Sequence, residues 1–366
     1  MFTGFLISGD TPVARIEGNR ITPIARAQMP LALSNGMPLE DWLIGRAIDR
    51  HRPNGRILKK LLGIRDTGDL ASVLHVHAAA ITDDYWLRAD TEPDLAYRDI
   101  QYTENYFSEV ALRGRFSSYG TELTPEQSFG KAPDLTTVGS YEKCWRLENS
   151  AWYMHKQGSA LERFSELFIA ALGTELGFAM AAYERTDDHI KTKDFTGGTL
   201  NFEPAAALVG DDEDYELNYD RIEALGPRLT AQYLDILYMD ALCFNMDRHT
   251  YNYGFLRDRN TGRVLSMAPN FDNNIALISR GYTGEARHTN GLLIKLFLEL
   301  LEARSITYQA PPLEAEQLER IAEQTLPDES IDRQYVITMV ADRYERLNTG
   351  LQALAQKQNN APQQTL

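Results

Sequence analysis

Residues 243–274 read CFNMDRHTYNYGFLRDRNTGRVLSMAPNFDNN. NYGFL and VLSMA have strand character, and RDRNTGR between them supplies Asn260 and Gly262 for a turn. The segment therefore predicts a β-hairpin. A hairpin brings its outer ends together. Asn252 enters the first strand, Asp272 leaves the second, and Asp247 lies in the loop just before. Three oxygen-bearing side chains are thus expected to converge on one spot.

A small hard cation such as Mg²⁺ takes carboxylate and amide oxygens and usually keeps water and substrate phosphates as its other ligands. Asn252 and Asp272 suit that role, which leaves Asp247 to accept a proton from, or orient, an attacking hydroxyl. Asp followed five positions later by Asn, with a metal-binding Asp downstream, is the order used in the protein-kinase catalytic loop. Here 20 residues separate Asn252 from Asp272, enough for a hairpin. Phosphoryl transfer needs positioning and charge neutralisation more than covalent help. Taken singly, these residues are also ordinary turn residues: FDNN could cap a helix and DRH could be a buried ion pair.

The rest of the chain bounds this reading. It has 366 residues, 43% of them hydrophobic, so two or three folding units with ample core are expected. A net charge of −15 argues against nucleic acid or anionic membrane as general partners. Cys144 and Cys243, each beside a large aromatic residue, are expected to be buried reduced thiols. The first ten residues lack the pattern of a secretion signal, and the longest apolar run, 167–183, is broken by Thr174 and Glu175. The expectation is a soluble cytoplasmic protein with no membrane partner.

Along the chain, GFLISGDTPVARIEGNRITPI reads as strands separated by Gly-Asp and Gly-Asn turns. Helices are expected at 39–50, 55–62 and 96–113, followed by a loop over 116–137. Strands follow at 141–148 and 151–156, joined by Asn149-Ser150, then a strong helix at 160–177 and strands at 179–185 and 188–195. VGDDEDYE reads as a solvated acidic loop. A long helix at 226–245 leads into the opening segment, and helices close the chain at 291–303, 313–324 and 334–354. His75 and His77 have no acid or thiol beside them and make a poor metal site.

NMDRHTYNYGFL with NFDNN resembles the HipA-like serine/threonine kinase family, and the D-R-H-x-x-N loop is also that of the phosphoinositide-kinase superfamily. Upstream, APDLTTVGSYEKCWRL, WYMHKQG and ERFSELFIAALGTELGF fall in the order that such kinases use for phosphate loop, cationic strand and first helix. ITDDYWL resembles a segment of HipA-like proteins with an N-terminal extension. The resemblance covers about three quarters of the chain. It implies an α+β, bilobal, protein-kinase-like fold: an N-terminal accessory domain at 1–95, an N-lobe at 96–198, a C-lobe at 199–354, and a disordered tail at 355–366.

The resemblance also implies ATP and Mg²⁺ as cofactors. Lys156 would hold phosphates, steadied by Glu166, with Glu162 one turn earlier as the rival. Gly139, Ser140 and Lys143 belong to the loop over the phosphates, where Thr136, Thr137 or Ser140 could be autophosphorylated as in that family. Backbone near Lys193–Phe195 would bind the adenine edge, with Phe195 on the ring, and Gly197-Gly198 would allow closure. His249 could organise the catalytic loop. The implied activity is transfer to a protein hydroxyl, with an unidentified protein substrate and an antitoxin or regulatory protein as partners. A lipid or small-molecule kinase and an ATP-binding pseudokinase stay open.

Overall fold

The computed structural model describes residues 2–64, 68–115, 131–282, 291–325 and 331–360. Most of the loop expected at 116–137, and the last six residues of the expected tail, lie outside these. The chain divides into two compact units. The first comprises Met1–Gly158, Glu184–Leu208 and Gly254–Ser266; the second comprises Ser159–Tyr183, Val209–Tyr253 and Met267–Leu366. Residues 1–95 thus share a unit with the stretch that carries Lys156.

The first unit holds three antiparallel sheets. β1 (Thr3–Ser8), β2 (Thr11–Glu17) and β3 (Arg20–Pro23) form the expected meander, turning at Gly9 (φ +56°) and Gly18 (φ +62°). β4 (Tyr85–Ala89) completes the sheet in the order β3-β2-β1-β4. This strand, which begins within ITDDYWL, was not expected as a strand, because its partner β1 lies about eighty residues away in the chain and no local pattern announces such a pairing. Leu6, Val13, Ile16, Trp42, Val73 and Leu87 pack the core beneath.

The second sheet has the order β5-β6-β8-β7. β5 (Lys143–Glu148) and β6 (Ala151–Lys156) are joined by Asn149 and Ser150, both at positive φ (+49° and +66°), as a two-residue hairpin with a right-handed twist requires. β7 (Tyr183–Arg185) and β8 (Ile190–Lys193) are shorter than the expected strands. β9 (Leu200–Pro204) pairs with β10 (Gly254–Asp258), and β11 (Val264–Met267) closes the three-stranded order β11-β10-β9. The hairpin read from the opening segment is therefore present, with Gly262 at φ +70° in its turn.

The second unit is helical. Its first helix, Ala160–Glu175, starts in a capping box: Ser159 Oγ accepts from the Glu162 N–H, and the Glu162 carboxylate accepts from the Ser159 N–H. It stops where Gly177 turns left-handed (φ +83°) and the Phe178 N–H returns to the Gly173 carbonyl. Phe164, Phe168 and Leu172 are wholly buried. Tyr215–Glu223 is a further helix, capped by Asp214, whose side chain accepts from the Leu217 N–H at 2.8 Å. The acidic run expected as loop thus ends as a helix cap, since aspartates satisfy orphan N–H groups as readily as they face water. Pro227–Cys243, Leu292–Ala303, Ala315–Thr325 and Arg333–Asn360 follow. The last helix runs six residues past the expected end at 354, so residues 355–360 are helical rather than disordered. Cys144 and Cys243 are free and buried. Among the described residues no helix is long and apolar enough to cross a membrane.

Candidate active site

In the second unit, the loop after helix Pro227–Cys243 carries Asp247 and Asn252, and the chain returns at residues 270–274. What joins the two is Arg248. Its Nη1 donates to the carbonyl of Asn252 at 2.6 Å and to that of Phe271 at 2.8 Å. One nitrogen therefore fixes the backbone at Asn252 and at the residue before Asp272. The remaining donors run inward. Nε and Nη2 form a fork on the Asp240 carboxylate, both at 2.9 Å, and Nη2 also reaches Asn270 Oδ1 and Asn273 Oδ1. Arg248 is 8% exposed and Asp240 is 1% exposed. Burial works against the Arg248 charge, but Asp240 outweighs it, so its pKa lies above the ordinary value. Burial pushes the Asp240 carboxyl up, against the pull of Arg248.

Asn252 Nδ2 donates to the Asp247 carbonyl at 2.9 Å. The amide is thereby oriented with its nitrogen committed to the loop and its oxygen as the end available to a cation. Asp272 takes a left-handed backbone (φ +59°), which acidic and amide residues tolerate but which still costs about 1 kcal/mol. Its N–H donates to Tyr183 Oη at 3.2 Å. Next in the chain, the Asn273 N–H donates to Glu166 Oε2 at 2.8 Å, and Ser165 Oγ donates to the Ala276 carbonyl at 2.9 Å. Helix Ala160–Glu175 therefore anchors the segment that carries Asp272. Glu166 is fully buried. Glu162, the rival glutamate, closes the helix cap with Ser159.

Among the described residues no group of three or more His, Cys, Asp or Glu side chains is arranged to hold a metal ion. The donor set here is smaller: one carboxylate, one oriented amide oxygen, and Asp247 in the same loop. That set fits a Mg²⁺ that keeps waters and substrate phosphates as ligands, and does not fit an all-protein cage. His249 Nδ1 accepts from the Tyr251 N–H at 3.3 Å, a local contact within the loop.

The other candidates lie in the first unit. Lys156 ends β6 directly opposite Lys143 on β5, and is 6% exposed. Like charges facing each other across a ladder are unfavourable, and an anion beside them would relieve that. Lys156 Nζ stands 5.6 Å from the Tyr141 ring centroid, a cation–π distance. Gly139 has φ +107°, and a Cβ there would fall 2.3 Å from Lys143 Nζ. Thr136 and Thr137 are buried, with hydroxyls donating to the carbonyls of Ala79 and Pro133, whereas Ser140 is exposed. Lys193 is exposed at the end of β8. The Asp194 N–H is already used by the Trp152 carbonyl. Phe195 packs edge-on against Phe202 at 5.5 Å between centroids.

Sequence reasoning missed a hydrogen-bonded histidine pair beside Lys156. Glu148 Oε1, His155, His189 and Asp188 form a line of three 2.7 Å contacts. Burial, then Arg146, lowers the His155 pKa to about 4, so His155 is neutral at neutral pH. The unfolded chain therefore takes up a proton there near pH 6.5 that the folded chain refuses until about pH 4. Stability should fall across that window on acidification, by on the order of 2 kcal/mol from this group. Thermal denaturation from pH 7 to 4.5 checks it: His155→Gln should flatten the acid slope, and an unchanged slope would assign the loss elsewhere.

A mixed sheet-and-helix chain with a lysine closing one strand, a buried glutamate on the following helix, and a D-R-H-x-x-N loop linked to a downstream acid is of the protein-kinase-like class. No protein-family model matches the sequence, and no curated protein matches it. Solved structures do. A chain of the Shewanella oneidensis MR-1 toxin–antitoxin complex of HipA, HipB and operator DNA matches over 97% of this chain and 91% of its own, at 13% identity and a TM-score of 0.51. The Helicobacter pylori proinflammatory kinase CtkA matches over 59% of this chain and 94% of its own, at 18% identity and a TM-score of 0.45. At such identities the likeness is one of fold: this chain has the α+β fold of the HipA-like kinases.

Proposed function

We propose that this protein is an ATP- and Mg²⁺-dependent serine/threonine protein kinase of HipA type. The observation that carries the reading is the Arg248 link: the backbone of Asn252 and of Phe271 meets on one guanidinium nitrogen, with the Asn252 amide nitrogen bound to the Asp247 carbonyl. In this reading Asn252 and Asp272 hold the metal, which when bound neutralises phosphate charge. Asp247 accepts the proton of, or orients, the substrate hydroxyl. Lys156, steadied by Glu166, holds phosphates, and Gly139, Ser140 and Lys143 form the loop over them. Backbone near Lys193 and Phe195 receives the adenine edge. Ser140 is the accessible residue of the three autophosphorylation candidates.

The protein substrate is to be sought in the cytoplasm. The similar HipA structure includes HipB and operator DNA, which supports a partner of antitoxin type here as well. A net charge of −15 opposes general affinity for nucleic acid, but it does not exclude an assembly that includes DNA, and nucleic acid is therefore not excluded as a partner.

The test is incubation with labelled ATP and Mg²⁺, followed by mapping of phosphosites. Asp247→Ala should lower transfer by about 10²–10⁴-fold, the usual range for a positioned base, with nucleotide affinity within a few-fold. Transfer to an inositol lipid rather than protein would favour the lipid-kinase alternative, and nucleotide binding without any transfer would favour a pseudokinase.

A further inference from the structure

Arg52 belongs to the N-terminal segment, to which the proposed chemistry assigns no role. It is 2% exposed. Its Nε and Nη2 donate to the Gly139 carbonyl at 3.1 and 2.9 Å, and Nη2 also donates to the Thr137 carbonyl at 2.5 Å. Among the described residues it has no carboxylate partner, and its Nη1 is buried with no hydrogen bond. A guanidinium buried without an ion-pair partner is costly. Burial lowers its pKa to about 10, with Asp134 and Asp49 opposing from a distance, so the group is charged at neutral pH. Among the described residues its acceptors are two carbonyls of a single short loop.

That loop is glycine-poor. Gly139 is its one glycine, held at φ +107°, with the Lys143 ammonium folded against the space where a Cβ would be. Loops that cover phosphates usually owe their shape to several glycines and present N–H groups to the anion. Here, engaging the carbonyls of Thr137 and Gly139 on a cation keeps these acceptors away from an anionic ligand.

We propose that Arg52 is a positioning residue: the N-terminal segment, through this guanidinium, sets the shape of the 137–140 loop, from which Ser140, with Lys143 just beyond it, meets the nucleotide's phosphates. The inference rests on the kinase reading of that loop.

The test pairs hydrogen exchange of the full-length protein with Mg·ATP kinetics. In Arg52→Met, amides of 136–143 should exchange at least tenfold faster, while those of β6 and of helix Pro227–Cys243 keep wild-type rates. KM for Mg·ATP should rise about tenfold with kcat within threefold. Arg52→Lys, which keeps the charge but not the fork, should fall between. If Arg52→Met proves too unstable to measure, Arg52→Lys is combined with Gly139→Ala. Non-additive effects on KM then support the clamp, and additive ones overturn it. An unchanged loop in Arg52→Met, with ATP binding intact, sinks the inference. Absence of ATP binding by the wild-type protein sinks the kinase reading instead.

Discussion

Asp272→Asn should reduce phosphoryl transfer on the order of 10³-fold, the several kcal/mol that a metal ligand contributes to stabilising transferred charge. The substitution isolates that contribution. Asn is nearly isosteric and tolerates the left-handed backbone that Asp272 adopts (φ +59°). The Asp272 N–H to Tyr183 does not depend on the side chain. Denaturation should therefore move little while turnover collapses. A variant that keeps more than a tenth of wild-type transfer would remove Asp272 from the metal site.

The largest structural effect is expected at Arg248. Arg248→Met leaves the buried Asp240 carboxylate without its cation, with the Asn245 amide still donating to it, and frees the carbonyls of Asn252 and Phe271. Breaking a buried pair from one side costs about 3–5 kcal/mol, which for a unit of this size is a Tm lower by roughly 10 °C. The companion Asp240→Leu with Arg248→Met removes both charges at once. Much of the stability should return, because the desolvation penalty of the orphaned acid disappears. Activity should not return, because nothing then draws the two carbonyls together. If activity recovers along with stability, Arg248 is a packing residue only, and the observation on which the proposed function rests loses its force.

The hairpin before Asp272 was legible because it is a local object: alternation and the Asn260–Gly262 turn sufficed to predict β10 and β11. Arg248 was visible only as one member of DRH, for which a buried ion pair was one reading among several. That reading is correct for this residue, but its partner Asp240 lies on the preceding helix and nothing in the sequence singles that aspartate out. Glu162 and Glu166 were rivals on spacing alone; in the structure Glu162 closes a capping box with Ser159 and Glu166 accepts from the Asn273 N–H. The threonines of the phosphate loop looked equivalent to Ser140 until burial set them apart. The histidine pair was missed because His155 and His189 are 34 residues apart and meet only through the pairing of β6 with β8.

The amino-acid sequence alone therefore determined the helices with strong periodicity and the hairpins with their turn residues, since these follow from neighbours within about twenty positions. Tertiary structure alone decided the β1–β4 pairing, the bond from Arg248 to the Phe271 carbonyl that draws residues 270–274 to the 247–252 loop, and the grip of Arg52 on the loop before β5. Each of these is a hydrogen-bonded match between groups far apart in the chain. Local propensity carries no record of such matches, because they form only when burial removes the water that would otherwise satisfy those groups.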